Sequence, residues 1–132
     1  IPLLGICVGM QILANESEEG TLPGLGWISG NVRAFSNNPM CSKLSLPHMG
    51  WNILNINQSI LLSSKDNEQL PEFYFLHSYY FDAKDKSIVS ATSEYGFNFD
   101  AAISHKNIYG VQFHPEKSHA WGEKLLKNFS TI

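Results

Sequence analysis

Two short segments carry the residue types that can do chemistry. The first is Gly5-Ile6-Cys7-Val8-Gly9-Met10-Gln11, where an apolar run over residues 1–6 ends at a cysteine between glycines. The second, near the other end of the chain, is Gly110-Val111-Gln112-Phe113-His114-Pro115-Glu116-Lys117-Ser118. Between them they supply a thiol, an imidazole and a carboxylate. A thiol can attack a carbonyl carbon, an imidazole can take and return its proton, and a carboxylate can hold the imidazole in one orientation. That combination is the chemistry of acyl transfer through a thioester, with Cys7 as nucleophile, His114 as base and Glu116 as the orienting group.

Gly-x-Cys-x-Gly has the form of a nucleophile elbow with Cys in place of Ser. A sharp strand-to-helix turn pushes its side chain clear of the sheet and aims the first helical N–H groups at the same place. Gly5 and Gly9 are expected to remove Cβ atoms that the turn would force together. The helix N-terminus is expected to lower the thiol pKa, and the Val8 N–H to serve as an oxyanion donor. The competing reading of Cys7 is a buried, inert thiol, since free cysteine is among the most buried residue types. Cys41, in Asn38-Pro39-Met40-Cys41-Ser42, has no elbow and reads as that inert case.

His114 and Glu116 are two apart after an apolar strand, so strand alternation puts both on one face, with Pro115 fixing the backbone between them. A histidine at a strand end is, alone, an ordinary hydrogen-bonding residue; its coincidence with the elbow gives it weight. A metal site built from His105, His114, His119 and Glu116 competes. Their spacing matches no zinc-ligand signature and the thiol lies far off in sequence, so no metal is expected. Neither a dinucleotide nor a phosphate-loop glycine pattern is present, and no cofactor is expected.

These residues need elements to hold them. Residues 1–6 read as a buried strand, and 8–15 as a short helix with Val8, Ile12 and Leu13 toward a sheet, ended by the polar tail 15–20. Residues 27–35 read as a strand broken at Gly30, 36–42 as polar linker, and 47–52 as a turn before the alternating segment 53–56. The aromatic segment 72–81 surrounds His77-Ser78. Strands are expected at 87–94, 99–104 and 108–113, with turns at 95–96 and 105–107. Trp121, Leu125, Leu126 and Phe129 mark one face of a C-terminal helix, with Lys124 and Lys127 on its wet side.

The 132 residues suit one domain, of α/β class, with an antiparallel part in the middle. Nine basic against twelve acidic side chains, with no Lys/Arg stripe, exclude the electrostatic footprint of a nucleic-acid binder. The apolar runs are far shorter than the roughly twenty residues of a membrane span, and no signal peptide is read at the start. Two cysteines make no disulfide framework, and a thiolate nucleophile suits a reducing, cytoplasmic setting.

The sequence resembles the class I glutamine amidotransferases, and within them the glutaminase subunits of imidazole glycerol phosphate synthase. The segments that carry this are the elbow, Ser17-Glu18-Glu19-Gly20, Pro47-His48-Met49-Gly50-Trp51-Asn52, Tyr74-Phe75-Leu76-His77-Ser78-Tyr79, and 110–118. The resemblance implies a three-layer, flavodoxin-like fold, a mixed sheet with helices on both faces. It implies that Cys7 attacks the side-chain amide of glutamine, with His114 as base and then acid, releasing ammonia and then glutamate. Gln11 and Glu19 match positions that hold the amino-acid end of the substrate, and a carboxylate at Glu19 suits its ammonium. Ser78 and Tyr79 match the stretch lining the glutamine pocket, largely through backbone. Trp51 and Lys117 match positions facing a (β/α)8-barrel cyclase subunit that receives the ammonia in histidine biosynthesis.

By the same resemblance, the family's first βα unit and a glycine-rich loop with a second oxyanion contribution are expected upstream of Ile1. Residues 1–132 are then a single, N-terminally truncated domain. Losing one oxyanion donor costs roughly 3–4 kcal/mol in the transition state, which puts the activity of these residues alone in question. Gly26-Trp27-Ile28 and Ser118-His119-Ala120-Trp121-Gly122 also resemble a paralogous branch that supplies ammonia for amidino-sugars of surface polysaccharide. A catalytically silent domain with a structural or regulatory role, and a Cys–His–Glu protease or general hydrolase, remain as further alternatives.

Overall fold

The computed structural model of the chain describes residues 1–62 and 71–132. Ten strands and two α-helices are present among the described residues. Strand β1 (Leu3–Ile6) leads through Cys7 into the single-turn helix α1 (Val8–Gln11). Then come β2 (Glu16–Ser17), β3 (Gly30–Ala34), β4 (His48–Ile53), β5 (Asn55–Ile56), β6 (Glu72–His77) and β7 (Tyr79–Ala83). The chain ends with β8 (Val89–Glu94), β9 (Asn98–His105), β10 (Ile108–Val111) and helix α2 (His119–Ser130).

Eight strands form one mixed sheet along the path β1-β10-β9-β7-β3-β2, with β8 joined to β9 and β5 to β8. The pairs β1–β10 and β2–β3 are parallel and the rest antiparallel. Strands β4 and β6 make a separate antiparallel pair. The β1–β10 pairing is the one that matters for chemistry. Its register, Gly5↔Gly110 and Ile6↔Val111, brings the end of the first strand beside the end of the last, so Cys7 and the residues after Val111 leave the sheet together.

Two apolar clusters stabilise this frame. The larger gathers Phe35, Phe73, Phe75, Phe99 and Phe113 with Leu125, and Trp121 and Phe129 pack against it. The smaller holds Met10, Leu13, Ile28, Val32, Phe81 and Ile103. Each fully buried large side chain contributes about 1.5–3 kcal/mol of transfer free energy. Among the described residues no helix is long and apolar enough to cross a membrane.

Several elements differ from the sequence expectation. The helix after Cys7 stops at Gln11, and residues 15–20 are no helical tail. Asn15 instead pairs with Gly30 through Asn15 N–H to Gly30 O and Gly30 N–H to Asn15 Oδ1, both 3.0 Å. That pairing starts β2 alongside β3. Residues 47–52, read as a turn, contain strand β4, because His48, Gly50 and Asn52 face the aromatic side while Met49, Trp51 and Ile53 point outward. Residues 36–42 form two 3-10 turns, Phe35–Asn37 and Pro39–Cys41. On α2, Leu125 is buried but Leu126 is exposed: neighbouring residues lie about 100° apart on a helix, too far for both to face the core. Two helices are described, so a three-layer arrangement with helices on both faces is not complete in these residues.

Candidate active site

The backbone at Cys7 has φ 54°, in the left-handed region. A non-glycine residue held there stores about 1–3 kcal/mol of strain and is commonly found at functional sites. Its N–H donates to Val111 O at 2.8 Å, which anchors the turn to β10. A Cβ on Gly5 would lie 2.5 Å from Gly9 O, so only glycine closes this turn. Gly9 has another basis than expected, because a Cβ there would meet nothing within 4 Å.

The thiol is half-buried. Its Sγ approaches Leu76 O at 3.8 Å and accepts from Gln112 Nε2 at 3.5 Å. Burial pushes the thiol above its ordinary value. The Val8 N–H and the Gln112 amide pull it down, while the Glu116 and Glu19 carboxylates push it further up. The net shift is upward, against the lowering expected from a helix N-terminus. A helix of one turn has little macrodipole to offset desolvation.

His114 and Glu116 stand on the 3-10 turn Pro115–Lys117 and its entry. His114 Nδ1 lies 2.7 Å from Glu116 Oε1, which leaves Nε2 as the nitrogen able to act as base. The turn is locked from two sides. His114 N–H donates to Tyr74 O at 2.8 Å. Ser118 Oγ donates to His114 O at 2.6 Å and accepts from Tyr74 N–H at 3.0 Å. A Cβ on Gly122 would sit 1.8 Å from Pro115 O, so α2 packs directly on this turn. His114 is not among the hydrogen-bond partners of Cys7. Catalytic contacts of this kind commonly tighten only when substrate binds.

A cavity of about 350 Å³ opens beside the elbow, lined by Val8, Gln11, Glu16, Ser17, Glu19 and the 20–24 loop. Its size falls in the range of small-molecule sites. It gathers Gln11 and Glu19, read from the sequence as substrate-binding, with Val8, read as the oxyanion donor. Ser78 and Tyr79 lie outside its lining, at the bend between β6 and β7, and the Tyr79 carbonyl accepts from Gln11 Nε2 at 3.1 Å. Trp51 lies flat on His119, ring centroids 5.4 Å apart, and meets Tyr74 edge-on at 6.2 Å. Lys117 Nζ stands 5.8 Å over the Tyr74 ring, so Trp51 and Lys117 share one surface cluster. His105 is the last residue of β9 and His119 belongs to the Trp51 stack, and neither joins His114 in a ligand set. Among the described residues no group of three or more His, Cys, Asp or Glu side chains could hold a metal ion.

The glutamine amidotransferase class-I family matches residues 1–131. The chain belongs to the class I glutamine amidotransferases. Within the family it is 50% identical to the imidazole glycerol phosphate synthase subunit HisH of Bdellovibrio bacteriovorus, over 133 residues. It is equally similar, at 50% over 132 residues, to the subunit of that name from Leptospira borgpetersenii. Each alignment takes in 100% of this chain and 64% of the relative, so the chain spans a little under two thirds of their length. A crystal structure of a glutamine amidotransferase from Thermotoga maritima superposes with a TM-score of 0.62 at 18% identity, covering 99% of this chain and 47% of that one. A second amidotransferase structure gives 0.63 at 16% identity, covering 98% and 61%. Those two likenesses establish the amidotransferase fold.

Sequence reasoning passed over Gln112 and Ser118, both fully buried polar residues, one in contact with Cys7 and the other with His114. A glutamine inside an otherwise apolar strand end was the available signal for the first.

Proposed function

We propose that this chain is the catalytic portion of a glutaminase subunit that releases ammonia from glutamine for imidazole glycerol phosphate synthase. The observation that carries the reading is the left-handed bend at Cys7 beside the His114–Glu116 pair, next to a cavity holding Gln11 and Glu19. The similarity to HisH subunits of two bacteria supports histidine biosynthesis over the polysaccharide branch.

In this reading His114 Nε2 takes the Cys7 proton and the sulfur attacks the side-chain carbonyl carbon of glutamine. The oxyanion that forms is met by the Val8 N–H. His114, held by Glu116, returns the proton to the leaving nitrogen as the C–N bond breaks. Ammonia departs and a glutamyl thioester remains. Water, deprotonated by His114, adds to the thioester carbon, and the C–S bond breaks to give glutamate and the free thiol. Burial raises the thiol, so attack needs His114 to take its proton. Gln11 and Glu19 hold the amino-acid end, with Ser78 and Tyr79 contributing backbone.

The partner is a (β/α)8-barrel cyclase subunit, docked over the outer face of β4 and β6. Met49, Trp51, Ile53 and Leu76 are exposed there, a row of apolar side chains that a docked partner would cover. Leu76 also lends its carbonyl to the Cys7 site, so this face adjoins the point of ammonia release. A reducing, cytoplasmic setting keeps both thiols free.

The test is covalent capture. A chloroketone analogue of glutamine should label Cys7 in the full-length protein with its synthase partner, and glutamate release should rise when the partner's ligand is added. Peptide or ester turnover without glutamine turnover would point to a general hydrolase, and absence of any label at Cys7 to a silent domain.

A further inference from the structure

One continuous line of hydrogen bonds joins the two-stranded sheet to the nucleophile. Asn52 Nδ2 donates to Glu94 O at 2.8 Å and meets His48 Nε2 at 3.2 Å. His48 Nδ1 meets His77 Nε2 at 2.9 Å, and His77 Nδ1 meets Tyr79 O at 2.8 Å. That carbonyl also accepts from Gln11 Nε2, which donates in turn to Gln112 Oε1 at 3.0 Å. Gln112 Nε2 ends the line on Cys7 Sγ at 3.5 Å.

Only one proton arrangement satisfies every link. A carbonyl accepts and cannot donate, so His77 carries its proton on Nδ1. A neutral His77 then accepts at Nε2, which requires the proton of His48 on Nδ1 as well. His48 Nε2 is left to accept from the Asn52 amide. A second proton on His77 would set two N–H groups against each other across 2.9 Å, and one on His48 would oppose the Asn52 amide N–H across 3.2 Å. Both imidazoles are buried, and burial pushes His48 down to about 4 and His77 down to about 3. Aromatic rings surround them: Phe75 and Tyr95 stack on His48 at 4.8 and 4.2 Å, while Phe35 and Phe99 flank His77 at 5.1 and 5.2 Å. The titratable groups that act on His77 are the other imidazoles, His48 and His114, and a proton on either would lower it further.

We propose that the neutral His48–His77 pair, protonated on Nδ1 in both rings, is a positioning device that fixes the Tyr79 carbonyl and, through Gln11 and Gln112, presents an amide N–H to the Cys7 sulfur. The inference rests on Cys7 being the nucleophile of the proposed glutaminase. Its physical content lies in the two amide flips. A Gln112 turned the other way would aim Oε1 at the sulfur and oppose the thiolate, whereas Nε2 stabilises it. Gln11 forbids that flip by donating to Gln112 Oε1. The Tyr79 carbonyl forbids the corresponding flip of Gln11, and His77 holds that carbonyl. Gln112, His77 and His48 are thus positioning residues, with Gln112 in direct contact with the reacting sulfur.

Two measurements on the full-length protein test this. Imidazole-¹⁵N spectra should show His48 and His77 as neutral Nδ1–H tautomers from about pH 8 to about pH 5. An Nε2–H tautomer on either ring, or titration near the ordinary value of 6.5, overturns the assignment. Iodoacetamide alkylation of Cys7, followed by peptide mapping across pH, gives the second readout. Gln112→Met and His77→Phe should each slow it about tenfold at neutral pH by lowering the thiolate fraction. His77→Asn, which keeps a donor where Nδ1 stood, should recover most of the rate. Adding His77→Phe to Gln112→Met should cost nothing more. Should His77→Phe fail to fold, the Gln112→Met and His77→Asn rates and the tautomers still decide. Equal alkylation across the series with glutamine turnover intact removes the relay alone. A wild-type Cys7 that ignores the chloroketone removes the glutaminase reading instead.

Discussion

Cys7 and Cys41 are the same side chain in two settings. Cys41 is buried at the end of a 3-10 turn, in the aromatic cluster, and its Sγ points to Tyr95 O at 3.5 Å. It acts as a weak donor there, and burial alone pushes its pKa up. Burial pushes Cys7 up as well, yet Cys7 also receives hydrogen bonds from the Val8 N–H and the Gln112 amide. The bend at φ 54° holds it one residue before Val8, which lines the neighbouring cavity. What separates the two thiols is therefore less their burial than what donates to the sulfur once the proton leaves.

The sharpest way to break this contrast is to remove each sulfur in turn. Cys7→Ala should abolish glutamate release, a loss of at least about a thousandfold, together with chloroketone labelling. Cys41→Ala should leave release within about twofold of wild type. Comparable losses from both would mean that the thiol at Cys7 has no privileged role. Both are read as glutamate formed in the presence of the synthase partner.

A smaller effect is expected from the group that orients the base. Glu116→Gln keeps the shape and removes the charge beside His114 Nδ1, so kcat should fall about tenfold to a hundredfold. That is less than for a buried triad carboxylate, because Glu116 is half exposed to solvent. KM should change little, since Glu116 lies outside the cavity lining. A KM effect with unchanged kcat would recast Glu116 as a substrate ligand.

Each cysteine also has a glycine at its back, which separates folding from chemistry. A Cβ at Gly5 would meet Gly9 O at 2.5 Å, and one at Gly96, where φ is +80°, would meet Met40 O at 2.9 Å and Cys41 Sγ at 3.2 Å. Gly5→Ala and Gly96→Ala should each lower stability by about 1–3 kcal/mol, measured by urea unfolding. Only Gly5→Ala should also lower glutamate release per folded molecule. Equal activity loss in both would show that the elbow geometry is not what makes Cys7 reactive.

The elbow and the His114–Glu116 pair were legible in the sequence because each is local: glycines flank the one, and a two-residue spacing makes the other. The strands carrying them were legible too, as apolar runs ending where the chemistry begins. What joins them was not. The parallel pairing of β1 with β10 depends on contacts between distant segments that no local pattern records. Strand β4 was hidden because Pro47 and Gly50 are turn-like residues, and its pairing with β6 overrides that preference. The His48–His77 contact lies across that same pairing. Gln112 looked like one polar residue in an apolar strand, and its role emerges only when Gln11 and Cys7 converge on it. The upward shift of the Cys7 thiol follows from desolvation, which depends on packing that spacing does not reveal.

The smallest predicted effect sharpens the contrast from the side of Cys41. Its thiol in the fold lies above the ordinary value of 9.0, pushed there by burial. Below that value the thiol is protonated in both folded and unfolded chains, and its contribution to stability is fully present. As pH rises above it, the unfolded chain releases the proton first, so stability falls until the folded thiol also ionises. Urea midpoints measured from about pH 8 to about pH 11 should therefore decline less steeply in Cys41→Ala than in wild type, by less than one proton's worth of slope. Parallel curves would place the Cys41 thiol in a setting that tolerates a thiolate, and the distinction between the two cysteines would then rest on access alone.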